Sequence, residues 1–196
     1  MRPVTIGVIN LDQAELTIAM LERLAELPSD RWSVQLILID NGSAYEDTVK
    51  LRRWIGDHAR SFGDIVFLET GKNLGASAGR NLILARSGGD RILILDNDIV
   101  LADDDWWLKK LWTDLDDDTV AIAGPMLVFA EHPEVVQAAG IGLTRLGRVG
   151  YLHRGDLADG VPPESVRVVA SPAACWLMRV PLPLASTCLS SWPCRA

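Results

Sequence analysis

Apolar residues recur in two alternating rhythms over the first hundred positions. Short, mostly apolar runs at Val4–Ile9, Val34–Ile39, Asp64–Leu68 and Arg91–Leu95 have the length and branching of buried strands. Between them apolar residues return at helical spacing. The first such stretch predicts a helix from Asp12 to about Leu27, with Leu16, Ala19, Met20, Leu24 and Leu27 on one face. Asp12 and Glu15 form an Asp-x-x-Glu capping pair at its start, and Pro28 stops it. Further helices are expected over about Tyr45–His58, Ser77–Arg86 and Asp104–Leu115. In the last of these, Trp107, Leu108, Leu111 and Leu115 make an inward stripe, read as core packing and not as a sugar-stacking platform. Asp103 to Asp105 lie where the helix dipole favours negative charge.

Strands that alternate with helices predict an α/β fold, with a mostly parallel central sheet covered by helices on both faces. After a strand at Thr119–Ala123 and the pair Gly124-Pro125, the style changes. Short strand-like pieces at Met126–Phe129, Val135–Ile141, Val149–Leu152 and Val166–Ala170 predict a small mixed region after residue 124. One domain over residues 1–179 results, divided at about residue 123. Residues 180–196 carry three Pro, two Cys and several Ser without a period. They read as an irregular or disordered tail, or as a product translated out of its natural frame.

Composition narrows the partners. Apolar residues make up 48% of the 196, so the chain can bury a core. The net charge of −7 argues against nucleic acid, whose affinity for proteins comes mainly from Lys and Arg on phosphates. No run reaches the roughly 18 apolar residues of a membrane span. The start runs directly into a strand, without the pattern of a signal peptide. Cys175, Cys188 and Cys194 lack metal-type spacing, and a reducing cytoplasm is the simplest expectation.

The polar residues that a site would need stand at three strand ends, where open α/β sheets bind ligands. Ile92–Leu95 runs into Asp96-Asn97-Asp98. In extended backbone, positions i and i+2 point the same way, so Asp96 and Asp98 are expected to converge. Two carboxylates suit Mg²⁺ or Mn²⁺, usually shared with substrate phosphates. Asp40-Asn41-Gly42-Ser43 ends the second strand; Asp40 is placed either to accept hydrogen bonds from a base or ribose, or merely to open a turn. The loop from Asn73 to Asn81 opens a helix with small residues, including Gly75, so backbone can approach an anion closely. Arg80 offers a planar fork to a diphosphate, or is an ordinary surface Arg on a tightly packed helix.

Taken together, Ile37–Ser43, Asn73–Asn81 and Leu93–Asp98 resemble family 2 glycosyltransferases of the GT-A fold, a Rossmann-like fold. Gly124-Pro125, Gln137–Gly140 and Ala173–Arg179 add to the resemblance. It implies a nucleotide-sugar-binding half over 1–123 and the start of an acceptor-side region over 124–179. It implies transfer of a hexosyl or deoxyhexosyl group from a nucleoside-diphosphate sugar, with inversion and with Mg²⁺ or Mn²⁺, to a saccharide or lipid-linked acceptor in polysaccharide biosynthesis. By the resemblance Asp12, Asn73, Gly75 and Arg80 serve the nucleotide sugar, Asp40 its base and Asp96 its ribose. Asp98, with Asp96, holds the metal. The implied location is the cytoplasm, with peripheral association at the inner face of the cell membrane.

Two departures stand out. The first loop reads Asn10-Leu11-Asp12, so Asp12 occupies a position where the family more often has Asn. Residues 180–196 lack the Gly-Phe-Asp segment and acidic pair that usually supply the base, and the expectation is a chain truncated at its C-terminus. Asp156, Asp159 and Glu164 follow the donor half but read as solvated loop carboxylates. Two rivals remain: a truncated nucleotide-sugar-binding protein without turnover, and a haloacid-dehalogenase-type phosphatase using Asp96-Asn97-Asp98 as its nucleophile strand.

Overall fold

A computed structural model describes residues 2–28, 30–180 and 187–191. The chain divides into two compact units, Met1–Ile99 and Val100–Ala196. The fold is α/β with a mostly parallel sheet, as the alternating rhythms predict.

The first unit runs β1 (Arg2–Asn10), α1 (Ala14–Ala25), β2 (Trp32–Asp40), α2 (Tyr45–His58), β3 (Asp64–Glu69), α3 (Ala76–Arg86) and β4 (Arg91–Asp96). Its strands lie in the order β4-β1-β2-β3, all parallel. The chain therefore steps one way from β1 to β3 and then returns to the far side of β1. Right-handed crossovers put α1 and α2 on one face and, after the reversal, α3 on the other. The reversal leaves a topological switch point between β1 and β4, where the loops leaving the two strands diverge.

Burial follows the apolar runs. Ile6, Leu36, Ile37, Leu38, Ile39, Ile92 and Leu93 are fully buried, each stabilising the fold by roughly 1.5–3 kcal/mol relative to exposure. α3 sits unusually close to the sheet. A Cβ on Gly7 would lie 2.3 Å from Ile83 Cγ2, and one on Gly79 would lie 2.7 Å from Ile9 Cδ1.

The first helix departs from its expected form. It starts at Ala14, after Gln13, and has no side-chain cap. The Asp12–Glu15 capping pair does not form. Asp12 takes a left-handed φ of 53° and turns its carboxylate to the start of α2 instead, while Glu15 pairs with Lys50 at 2.8 Å. The buried face is Ala14, Thr17, Met20, Leu21 and Leu24; Leu16 and Ala19 are exposed. Thr17 occupies the inward position that the apolar pattern assigned to Leu16, for a reason found at the strand ends.

The second unit contains α4 (Trp106–Asp114), β5 (Val120–Pro125), β6 (Leu127–Phe129), β7 (His132–Ala138), β8 (Ile141–Leu143), β9 (Val149–Tyr151), a 3₁₀ turn at Ala158–Gly160, β10 (Val166–Val168), β11 (Cys175–Arg179) and β12 (Thr187–Ser191). The order is β10-β12-β5-β11, with β12 parallel to β5 and the other pairs antiparallel. The region is mixed, as expected. The α4 stripe of Trp107, Leu108, Leu111 and Leu115 is buried as core. The single strand expected over Val135–Ile141 is two, because Gly140 turns the chain at φ 102°. Most of the tail expected to be irregular (181–186 and 192–196) lies outside the described residues; inside it Thr187–Ser191 pairs with β5.

Candidate functional site

The polar strand ends of the first unit come together by register. Asn10, the last residue of β1, is the partner of Asp40, the last of β2. On the other side of β1, Ile9 is the partner of Asp96. The apolar strands thus deliver Asn10, Asp40 and Asp96 to one edge of the sheet, at the carboxyl ends and beside the switch point.

Asp96 ends β4, and the chain turns at once: the Ile99 N–H reaches the Asp96 carbonyl at 3.4 Å. Asp96 and Asp98 are thus related by a turn, and the extended i, i+2 geometry expected from the sequence stops at Asp96. Asp98 is exposed. Arg80, projecting from α3, donates from Nη2 to Asp96 Oδ1 at 2.9 Å. Burial lifts the Asp96 carboxyl above its ordinary value; Arg80 opposes this, and the negative charge of Asp98 adds to the lift. The two acids are therefore close enough to feel one another. Among the described residues no group of three or more His, Cys, Asp or Glu side chains could hold a metal. Two carboxylates beside an open edge still fit Mg²⁺ or Mn²⁺, which are commonly bound by one or two carboxylates with the rest supplied by water and substrate phosphate.

Asp40 faces inward. It is buried, and both carboxylate oxygens receive internal donors. Thr48 Oγ1 donates to Oδ2 at 2.6 Å, and the Ser43 hydroxyl donates to Oδ1. Asn10 Nδ2 and the Ser43 N–H approach Oδ1 at 3.5 and 3.4 Å. These bonds make Asp40 a brace of the 41–44 turn. Gly42 is required there: its φ is 87°, and a Cβ would lie 2.3 Å from the Lys72 carbonyl carbon.

The remaining assigned residues brace loops. Asp12 Oδ1 accepts the Ala44 N–H at 2.7 Å, at the start of α2, and the Asp12 N–H donates to Ser43 Oγ at 3.0 Å. Asn73 Oδ1 accepts from Gly75 N–H at 2.8 Å and from Asn41 Nδ2 at 3.2 Å. Asn41 Oδ1 in turn accepts the Leu74 N–H at 3.1 Å. Gly75, at φ 82°, precedes α3, which has no side-chain cap and no acidic residue in its first turn, so the positive end of the helix dipole is not offset there.

The sequence assigns no individual role to Asn10, Thr17, Ser43 or the side chain of Asn97. Asn97 Nδ2 donates to Thr17 Oγ1 at 3.1 Å and to Gln13 Oε1 at 3.2 Å. Thr17 Oγ1 donates to Asn10 Oδ1 at 2.7 Å, and Asn10 Nδ2 donates to Ser43 Oγ at 2.9 Å. The available signals were a lone hydroxyl on an apolar helix face and an Asn closing an apolar strand.

With this geometry in view, comparison with known proteins is direct. The sequence profile described as glycosyl transferase family 2 matches residues 5–157, and the chain belongs to that family. Structures sharing the fold include the mannosyltransferase PcManGT of Pyrobaculum calidifontis in complex with GDP-Man and Mn²⁺. It is 18% identical, with a TM-score of 0.62 over 91% of this chain and 45% of the other. GalNAc-T7 with UDP, GalNAc and Mn²⁺ is 12% identical, with a TM-score of 0.70 over 91% and 35%. TarS 1-349 of S. aureus in complex with UDP-GlcNAc is 17% identical, with a TM-score of 0.51 over 65% and 35%. The chain thus spans less than half the length of these relatives. No curated protein matches the sequence. Among the described residues no helix is long and apolar enough to cross a membrane.

Proposed function

We propose that this chain forms the donor half of a metal-assisted, inverting glycosyltransferase. It binds a nucleoside-diphosphate sugar at the carboxyl edge of the β4-β1-β2-β3 sheet. The observation that carries the reading is the Arg80–Asp96 pair with Asp98 beside it, at the switch point of a chain that belongs to glycosyl transferase family 2. Two acids and one guanidinium at this edge match a diphosphate that brings its own cation. Proteins of this fold have been seen with GDP-Man and Mn²⁺, or with UDP, GalNAc and Mn²⁺, which supports Mn²⁺ or Mg²⁺ here.

In this reading Asp98 and Asp96 hold the ion. Bound there, the ion would neutralise charge developing on the leaving nucleoside diphosphate. Arg80 faces the same phosphates with its planar fork. The α3 N-terminus after Gly75 adds N–H donors for anionic oxygen. Asp12, Asp40, Asn41 and Asn73 shape the two loops against which the nucleoside lies. An acceptor hydroxyl, from a saccharide or a lipid-linked saccharide, attacks the anomeric carbon opposite the leaving group while a carboxylate takes its proton. Asp156, Asp159 and Glu164 are not assigned that step: Asp156 is exposed and held by His153 at 3.0 Å. Membership of the transferase family leaves the phosphatase reading without support.

Calorimetric titration of the chain with UDP and with GDP, each with and without Mn²⁺, tests the proposal. Metal-dependent binding of at least one is expected. Failure of both to bind at any Mn²⁺ concentration would overturn it. A parallel assay of sugar release from UDP- and GDP-sugars separates a chain that turns over from one that only binds.

A further inference from the structure

The hydrogen bonds at the strand ends form one directed chain, and its direction follows from donor chemistry. Ser43 Oγ accepts from Asn10 Nδ2 and from the Asp12 N–H, so its single hydrogen goes to Asp40. The Asn10 amide presents its NH₂ to Ser43 and Asp40, and this turns its carbonyl oxygen toward Thr17. That oxygen takes the Thr17 hydroxyl hydrogen, so Thr17 Oγ1 is free only to accept, and it accepts from Asn97. Each link removes the alternative at the next. Asn10 and Thr17 are buried, so water does not offer a substitute partner.

We propose that Asp40 sets the polarity of this chain and, through Ser43, Asn10 and Thr17, fixes the Asn97 amide and with it the Asp96-Asn97-Asp98 turn. Asp40, Asn10 and Thr17 are then positioning residues for the cation end of the site, although Asp40 lies on a strand not adjacent to β4. The functional consequence rests on the donor-binding reading above; the structural consequence does not. The sequence places Asp40 and Asn97 57 positions apart, yet three intervening side chains connect them, one in the 41–44 turn, one at the end of β1 and one in the first turn of α1.

Two measurements on the full 196-residue chain test this. The first is amide hydrogen exchange without ligand in Thr17→Val, Thr17→Ser and Asp40→Asn. Thr17→Val keeps the shape of the side chain and deletes the hydroxyl; Thr17→Ser keeps the hydroxyl. Exchange at Asn97, Asp98 and Ile99 should quicken at least tenfold in Thr17→Val and Asp40→Asn and stay near wild type in Thr17→Ser. A variant that loosens the whole fold would quicken the β2 core amides Leu36–Ile39 equally. Unchanged exchange at 97–99 in Thr17→Val, or equal quickening at both places, would overturn the proposal. The second is Mn²⁺-dependent gain in UDP or GDP affinity, whichever nucleotide the wild type binds. Thr17→Val should lose tenfold or more of that gain while its metal-free affinity holds, and Thr17→Ser should restore it. A wild type that binds neither nucleotide sinks the donor-binding reading, and the exchange result still decides the chain.

Discussion

Arg80 and Asp96 meet at 2.9 Å across the gap between α3 and β4, and Arg80 pulls the Asp96 proton equilibrium against burial and against Asp98. Burial is the largest influence, so the folded carboxyl titrates above its value in the unfolded chain. The folded state then holds that proton longer. Its contribution favours the fold on the protonated side and is lost as pH rises from the ordinary aspartate range through the folded value. Asp96→Asn removes this slope. The stability of Asp96→Asn relative to wild type, from urea unfolding at a series of pH values, should therefore improve as pH rises. A difference that is flat or runs the other way would contradict the assignment.

The same pair makes a prediction for the cation. A metal competes with the proton at Asp96, so Mn²⁺ affinity should fall on acidification at a pH above that of an ordinary aspartate. Arg80→Met withdraws the one influence that lowers the Asp96 value and should move this midpoint upward. Calorimetric titration with Mn²⁺ and UDP at stepped pH reads it directly, and an unmoved midpoint would place the metal away from Asp96.

Asp98 is exposed in a turn and supports no core contact. Asp98→Ala should abolish the metal-dependent part of nucleotide affinity. The unfolding midpoint should change by no more than the roughly 0.5 kcal/mol usual for surface substitutions. Differential scanning fluorimetry beside the titration tests both halves; retained metal dependence would refute the role of Asp98.

Much of this arrangement was legible in the sequence. The four strands and three helices of the first unit were visible because parallel strands are continuously apolar and Gly and Pro punctuate them. The Asp96–Asp98 segment was visible because charge abutting an apolar strand is unusual. What local pattern did not show was how distant residues share donors. That Asp40 takes internal donors from Thr48, Ser43 and Asn10 is one such case. Asp12 looks like a helix cap for α1 until its left-handed backbone turns it to Ala44. Leu16 fits an apolar stripe better than Thr17, yet Thr17 is inward because Asn10 and Asn97 need its hydroxyl. Propensity is a weak prior, and a buried polar group that must be paired outweighs it.

Two glycines that look alike in the sequence should respond oppositely to Ala. Gly42 has a left-handed φ and no room: a Cβ would lie 2.3 Å from Lys72 backbone. Gly42→Ala should cost about 1–2 kcal/mol from the backbone alone, and more once the 72–73 loop is displaced. Gly56 lies in α2, is exposed, and has nothing within 4 Å of a Cβ. Gly56→Ala should stabilise by about 0.5–1 kcal/mol, or roughly 1–4 °C for a chain of this size. Thermal unfolding of both variants checks the pair, and a stabilising Gly42→Ala would show that the turn is not as drawn.

Asp12 separates a bracing role from a nucleotide role. Its carboxylate holds the Ala44 N–H at 2.7 Å at the start of α2, and its own N–H holds Ser43 at 3.0 Å, with φ at 53°. Asn keeps the accepting oxygen and tolerates left-handed backbone; Gly keeps only the backbone; Ala keeps neither. Unfolding midpoints should therefore rank wild type about equal to Asp12→Asn, then Asp12→Gly, then Asp12→Ala, with about 1 kcal/mol lost with the cap. If bracing is the whole role, UDP affinity in Asp12→Asn stays at the wild-type value. A fall of tenfold or more in Asp12→Asn with an unchanged midpoint would instead put the Asp12 carboxylate in contact with the nucleotide.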